Sequence, residues 1–143
     1  MTYPLLKEAI KTATRKTYQA MLAYVGDEQI YYFVLTTVGE ALSPGQSAWT
    51  EQLLEEKTQQ SLGLYLDNYE ALKDDLRWSY SDSPLFCFGA QYFEPVTQLF
   101  LARPELTYTM SDEAWEKEYQ FRISEMTQAL IELDEEGLFG VNA

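Results

Sequence analysis

The chain has 143 residues, no histidine and one cysteine, and these two scarcities bound its chemistry. Histidine is the usual general base and metal ligand near neutral pH, so Ser-His-Asp and Cys-His catalysis are excluded. A zinc site would have to combine one thiolate with carboxylates, an uncommon donor set, and neither metal nor cofactor is expected. Cys87 allows no intrachain disulfide, which fits a reducing, cytoplasmic setting. Phe86 and Phe88 flank it, so it reads as a buried, unactivated thiol. The seven glycines form no dinucleotide fingerprint, and the Gly39 to Gly45 stretch lacks the Lys-Ser/Thr ending of a phosphate loop. No run approaches the roughly 20 apolar residues of a membrane span. Met1-Thr2-Tyr3-Pro4 leads straight into an amphipathic pattern with no apolar signal region, so the mature chain is expected to be the whole chain.

Positive charge is also scarce: 10 Lys and Arg face 23 Asp and Glu, a net of -13. Residues 1–25 hold Lys7, Lys11, Arg15 and Lys16 against Glu8, while the remainder holds 6 basic and 22 acidic residues. Such an anionic body repels phosphate backbones and anionic lipid and attracts basic proteins. The expected partner is therefore a basic protein, with no nucleic acid and no membrane. Hydrophobic residues at 46% and aromatics at 15% are too many for a disordered tail, and the length suits one domain over residues 1–143.

Apolar periodicity predicts a first helix over about 4–24, with Leu6, Ala9, Ile10, Ala13, Thr17, Ala20, Met21 and Tyr24 inward and Lys7, Lys11 and Arg15 outward. Thr2 is its expected cap, Pro4 fits its first turn, and Gly26 stops it. Residues 29–38 read as a central strand covered on both faces. Ser47 reads as the cap of a helix carrying Trp49, Leu53, Leu54 and Leu62, ended by Gly63. A short helix within 64–75, a strand at 76–80, a turn at 81–84 and a helix over 92–101 with Pro95 in its first turn follow. The last helix is capped by Ser111, buries Trp115, Tyr119, Ile123, Met126, Leu130 and Leu133, and ends at Gly137 with Leu138 and Phe139 folding back. The fold class is α+β: a mostly helical single domain with a small, mainly antiparallel sheet.

Two acidic stretches stand out as candidate partner-binding surfaces. Asp74, Asp75 and Asp82 surround the aromatic residues Trp78 and Tyr80, as an interface for a basic partner would require. Glu132, Asp134 and Glu135 lie at the C-terminal end of the last helix, where the helix dipole disfavours them. A carboxylate enzyme would need Asp74, Asp75, Asp82 or Glu94 to converge. Trp49 and Trp115, on helical stripes, read as core, whereas Trp78 reads equally as core or as an exposed anchor.

Several segments, in order, resemble a family of bacterial domains of unknown function, numbered 4303: Ile30-Tyr-Tyr-Phe-Val-Leu-Thr-Thr, Ser47-Ala-Trp-Thr-Glu-Gln-Leu-Leu, Leu76-Arg-Trp-Ser-Tyr-Ser-Asp-Ser-Pro-Leu, Tyr92-Phe-Glu-Pro-Val-Thr-Gln-Leu-Phe and Leu133-Asp-Glu-Glu-Gly-Leu-Phe-Gly. The resemblance runs from about residue 28 to 140 and is most specific at 78–84. It implies a small α+β fold and transfers no catalytic residue. By analogy with small acidic domains encoded beside secreted toxins, it implies a cytoplasmic immunity protein that occludes a basic surface of a cognate toxin. The alternatives are a housekeeping interaction or regulatory domain, and a carboxylate hydrolase.

Overall fold

The computed structural model describes residues 2–64 and 67–140. Among them are five α-helices and a two-stranded antiparallel sheet, an α+β fold as the sequence predicts. Helix α1 (Thr2–Val25) ends at Gly26, whose φ of 66° suits glycine and whose N–H reaches the Leu22 carbonyl. Leu6, Ile10, Ala13, Thr17 and Met21 of its predicted stripe are buried, whereas Tyr24 is exposed. The expected Thr2 cap and first-turn Pro4 concern side chains outside the described residues, as are Tyr65 and Leu66 of the 64–75 segment.

Strand β1 (Ile30–Thr36) pairs with β2 (Gly45–Thr50), Tyr32 lying opposite Trp49 and Leu35 opposite Gln46. The predicted central strand is thus one of two, half-buried along its length. A second correction concerns Ser47, which lies inside β2; the helix cap is Thr50, whose hydroxyl accepts from the Leu53 N–H at 3.0 Å to open α2 (Glu51–Ser61). Local spacing around Trp49 looks helical, but ladder bonds to β1 and complete burial of Gln46 through Thr50 favour the strand.

Helix α3 (Tyr69–Leu76) is capped by Asn68, which accepts from Ala71 N–H. No strand forms at the predicted 76–80: Leu76 ends α3, and a turn from Arg77 runs into a 3-10 turn, Tyr80–Asp82. What holds this segment is β2. The Ser47 hydroxyl donates to the Tyr80 carbonyl at 2.7 Å, the Trp49 indole N–H to the Ser79 carbonyl at 3.0 Å, and the Gln46 amide to the Phe88 carbonyl at 2.6 Å. The Ser83 hydroxyl donates to the Ala48 carbonyl, and the Cys87 N–H to the Gln46 carbonyl at 2.7 Å. Buried polar groups need such partners, and side-chain bonds supply them where a third strand is missing. Cys87, predicted to be buried, is exposed: its φ of 62° turns the chain, and Leu85 takes the buried position.

A 3-10 turn, Ala90–Phe93, precedes α4 (Glu94–Leu101), which has Pro95 in its first turn as expected. Ser111 caps α5 (Asp112–Glu135), accepting from Ala114 N–H at 3.1 Å. The helix closes as predicted: Gly137 has φ 87°, its N–H reaches the Asp134 carbonyl at 2.9 Å, and the Leu138 N–H reaches Leu133 at 3.0 Å. The stripe is rotated from the prediction. Trp115, Tyr119, Ile123 and Leu130 are half-buried, while Glu118, Arg122, Met126, Ala129 and Leu133 are buried.

The chain forms two compact units. The first takes in residues up to Tyr18, Thr37–Pro44 and residues from Gly89 on; the second comprises Gln19–Thr36 and Gly45–Phe88. In the second, Trp49, Leu54, Leu72 and Leu76 form one apolar cluster, and Met21, Val25, Ala48 and Leu85 form another. In the first, Arg122 is only 2% exposed. Its guanidinium donates to Glu118 at 2.8 Å and to the carbonyls of Glu40 at 3.2 Å and Pro104 at 2.5 Å. Arg103 holds both oxygens of the same Glu118, at 2.9 and 2.6 Å.

Removing one partner from a buried, hydrogen-bonded charge cluster is strongly destabilising, so Arg122→Ala should lower unfolding free energy by about 3–5 kcal/mol in urea titrations. Thr14 is fully buried with a hydroxyl that has no hydrogen-bond partner among the described residues. Thr14→Val, of the same shape, should therefore raise stability, by about 1 kcal/mol in the same assay.

Candidate functional site

The turn after α3 carries Trp78, and its neighbours expose it. Tyr31 and Tyr32 of β1 project to this side, and their rings meet the indole edge-to-face at centroid distances of 5.5 and 5.2 Å. These contacts fix one part of the indole while 58% of the residue stays open to solvent. The Tyr31 hydroxyl donates to the Arg77 carbonyl at 2.7 Å, which orients the peptide leading into Trp78. Burial pushes the Tyr31 hydroxyl up to about 12, against the opposing pull of Arg77, so it stays protonated and able to donate. Tyr80 is exposed beside Phe86, with ring centroids 5.9 Å apart. An exposed, rigid aromatic group of this kind is what anchors protein interfaces.

Charge around the aromatic group is one-sided. The second unit holds Lys57, Lys73 and Arg77 against ten carboxylates. Two of those cations are already engaged. Arg77 pairs with Glu51 and stacks 5.5 Å over the Tyr31 ring, and Lys73 pairs with Glu55 at 3.3 Å. The Tyr69 hydroxyl also bonds Glu55 and is the first cause of the lowering of that carboxyl below its ordinary range. Asp74 and Asp75 are exposed on α3, and Asp82 accepts from the Ser79 hydroxyl in the 3-10 turn. The surface around Trp78 therefore keeps its negative sign.

Of the eight residues singled out in the sequence, Asp74, Asp75, Trp78, Tyr80 and Asp82 lie on this one segment of the second unit. Glu132, Asp134 and Glu135 belong to the first unit. Asp134 and Glu135 are exposed, but Glu132 is engaged by α1: Lys7 reaches it at 2.7 Å and Lys11 at 3.0 Å. Glu136 takes Lys11 at 2.9 Å and Arg15 at 2.7 Å. The cationic side of α1, predicted to face solvent, is thus the counter-charge of the acidic end of α5, and Lys11 is only 8% exposed. Trp115, read as core, is half-buried and stacks on Tyr119 at 5.3 Å. Glu94 accepts from Gln98 on α4, in the other unit from Asp74, Asp75 and Asp82. Among the described residues no three acidic, cysteine or histidine side chains are placed to hold a metal ion.

Sequence reasoning missed Tyr31, Tyr32 and Phe86 as parts of the aromatic surface. The adjacent tyrosines of β1 were the available signal. Tyrosine hydroxyls need a partner when half-buried, and that of Tyr31 finds it at the Arg77 carbonyl.

Fold and surface together define a small α+β protein with an acidic, aromatic-bearing face. Within that class, the model of the family described as "Domain of unknown function (DUF4303)" matches residues 10–143, and the chain belongs to this family. The match reaches into α1, earlier than the segments from residue 28 that carry the resemblance. No curated protein and no solved structure matches the chain. Among the described residues no helix is long and apolar enough to cross a membrane.

The α1–α5 ion cluster gives a pH signature. Hydrogen bonds from Lys7 and Lys11 hold Glu132 below the carboxylate value of 4.5, and those from Lys11 and Arg15 do the same for Glu136. Their contribution is present above 4.5 and is lost as pH falls through their lowered values. Lys11 is raised to about 12 by the same carboxylates, Glu136 first, so its part persists up to 10.5 and is lost as pH rises through about 12. Chemical-denaturation midpoints should fall at both ends of the pH range, and Lys11→Met should flatten both slopes.

Proposed function

We propose that this protein acts by binding, as a cytoplasmic immunity protein that neutralises a cognate bacterial toxin by covering a basic surface or active site. The observation that carries the reading is Trp78: a large indole held by two tyrosines, more than half exposed, amid carboxylates whose nearest cations are already paired. An aromatic anchor supplies buried area at low entropic cost, and the surrounding acids steer a cationic partner and fix its register. The absence of histidine removes the commonest catalytic base, which agrees with a role in binding.

Co-expression with the product of the adjacent gene tests the reading. The expected result is protection of the host cell and a complex that survives purification. Trp78→Ala should weaken that complex by about 2 kcal/mol or more in calorimetry with little change in thermal unfolding. Asp74→Asn with Asp75→Asn should act mainly on the association rate and its salt dependence. No protection and no complex at micromolar concentration would reject the proposal.

A further inference from the structure

Thr37–Pro44, which joins β1 to β2, is held in place from within the first unit. Ala41 is fully buried at φ 51°, a left-handed conformation that non-glycine residues adopt only when their surroundings impose it. Arg122 donates to the carbonyls of Glu40 and, at 3.5 Å, Ala41. The Thr37 hydroxyl closes the loop onto the Leu42 carbonyl at 2.6 Å. The Ser43 and Thr97 hydroxyls, 3.1 Å apart, fasten it to α4. Despite these restraints the loop points apolar side chains outward: Val38 is 56% exposed and Leu42 52%. Leu101, one helical turn beyond Thr97 on the same face of α4, is 73% exposed. A buried guanidinium and a strained peptide thus fix a loop that leaves its largest apolar groups in water, which is preorganisation for contact.

We propose that Val38, Leu42 and Leu101 form a second docking surface, for a basic protein that offers apolar side chains flanked by lysine or arginine. Glu40 on the loop and Glu94, one turn before Thr97 on α4, are exposed carboxylates that match such a partner; a second copy of this chain, at net -13, would be repelled. The inference rests on the reading above that the protein binds a basic partner, and it adds a surface distinct from Trp78.

Photo-crosslinking separates the two. Benzoylphenylalanine is placed singly at Leu42, Leu101, Trp78 and the exposed control Gln60 of the full chain, in cells that naturally express it, with circular dichroism melts to check folding. Adducts from Leu42 and Leu101 to one basic protein, identified by mass spectrometry, are expected. With that protein purified, Leu42→Asp with Leu101→Asp should weaken the complex at least about tenfold. Arg122→Lys keeps the cation and loses the guanidinium fork, so it should lower the yield at Leu42 and leave the yield at Trp78 unchanged. Adducts from Trp78 alone would overturn this surface and keep the first. Adducts from Leu42 and Leu101 alone would do the reverse, and no adduct at any position would reject both. Adducts between two copies of the chain, or unchanged affinity of the double variant, would also overturn the proposal.

Discussion

The second unit depends on the buried polar side chains of β2. Gln46, Ser47 and Trp49 each donate into the backbone of the segment that follows α3. With two strands among the described residues, the sheet does not satisfy that segment's carbonyls through a ladder, and irregular backbone packed against an apolar cluster would otherwise leave them unpaired. The serine, tryptophan and glutamine side chains take over this task. Because they grip Ser79, Tyr80 and Phe88, the turn between α3 and these contacts is fixed with Trp78 facing solvent. The candidate surface follows from a hydrogen-bonding requirement inside β2.

Arg122 plays the corresponding part in the first unit, by a harsher route. Burying a guanidinium requires partners for its nitrogens, and here a carboxylate shared with Arg103 and backbone carbonyls give each nitrogen at least one. Burial pushes the Glu118 carboxyl up, but the two guanidinium groups outweigh it and hold it below its ordinary value. A cation bonded to carbonyls from distant parts of the sequence constrains those parts together. Hydrophobic contact alone, being non-directional, would not set the orientation of Thr37–Pro44.

Charge is used in two ways along the chain. At the end of α5 it is internal: Glu132 and Glu136 sit where the helix dipole disfavours them, and the cations of α1 offset that cost. Around Trp78 it stays external, because the nearby cations are consumed by Glu51 and Glu55 while Asp74 and Asp75 remain in solvent. A count of charges gives the same sign to both regions, and pairing alone separates them.

Local signals carried much of the fold. Gly26, Ser111 and Gly137 mark helix ends through the backbone chemistry of caps, which depends on near neighbours and is therefore readable from sequence. The amphipathic stripe of α1 and the existence of α4 and α5 are legible for the same reason. Ser47-Ala-Trp-Thr was misread because its strand state is fixed by partners on β1 and at 79–88, far along the chain. Cys87 was misread because one left-handed residue reverses which side chains turn inward. The sequence by itself determined α1, α4 and α5, the absence of histidine chemistry, the acidic character and Trp78 as a residue of either the core or an exposed anchor. Only the tertiary structure decided that Lys11 and Glu132 neutralise each other, that Arg122 is buried, and that Tyr31 and Tyr32 hold Trp78 outward, since each depends on contacts between residues distant in sequence.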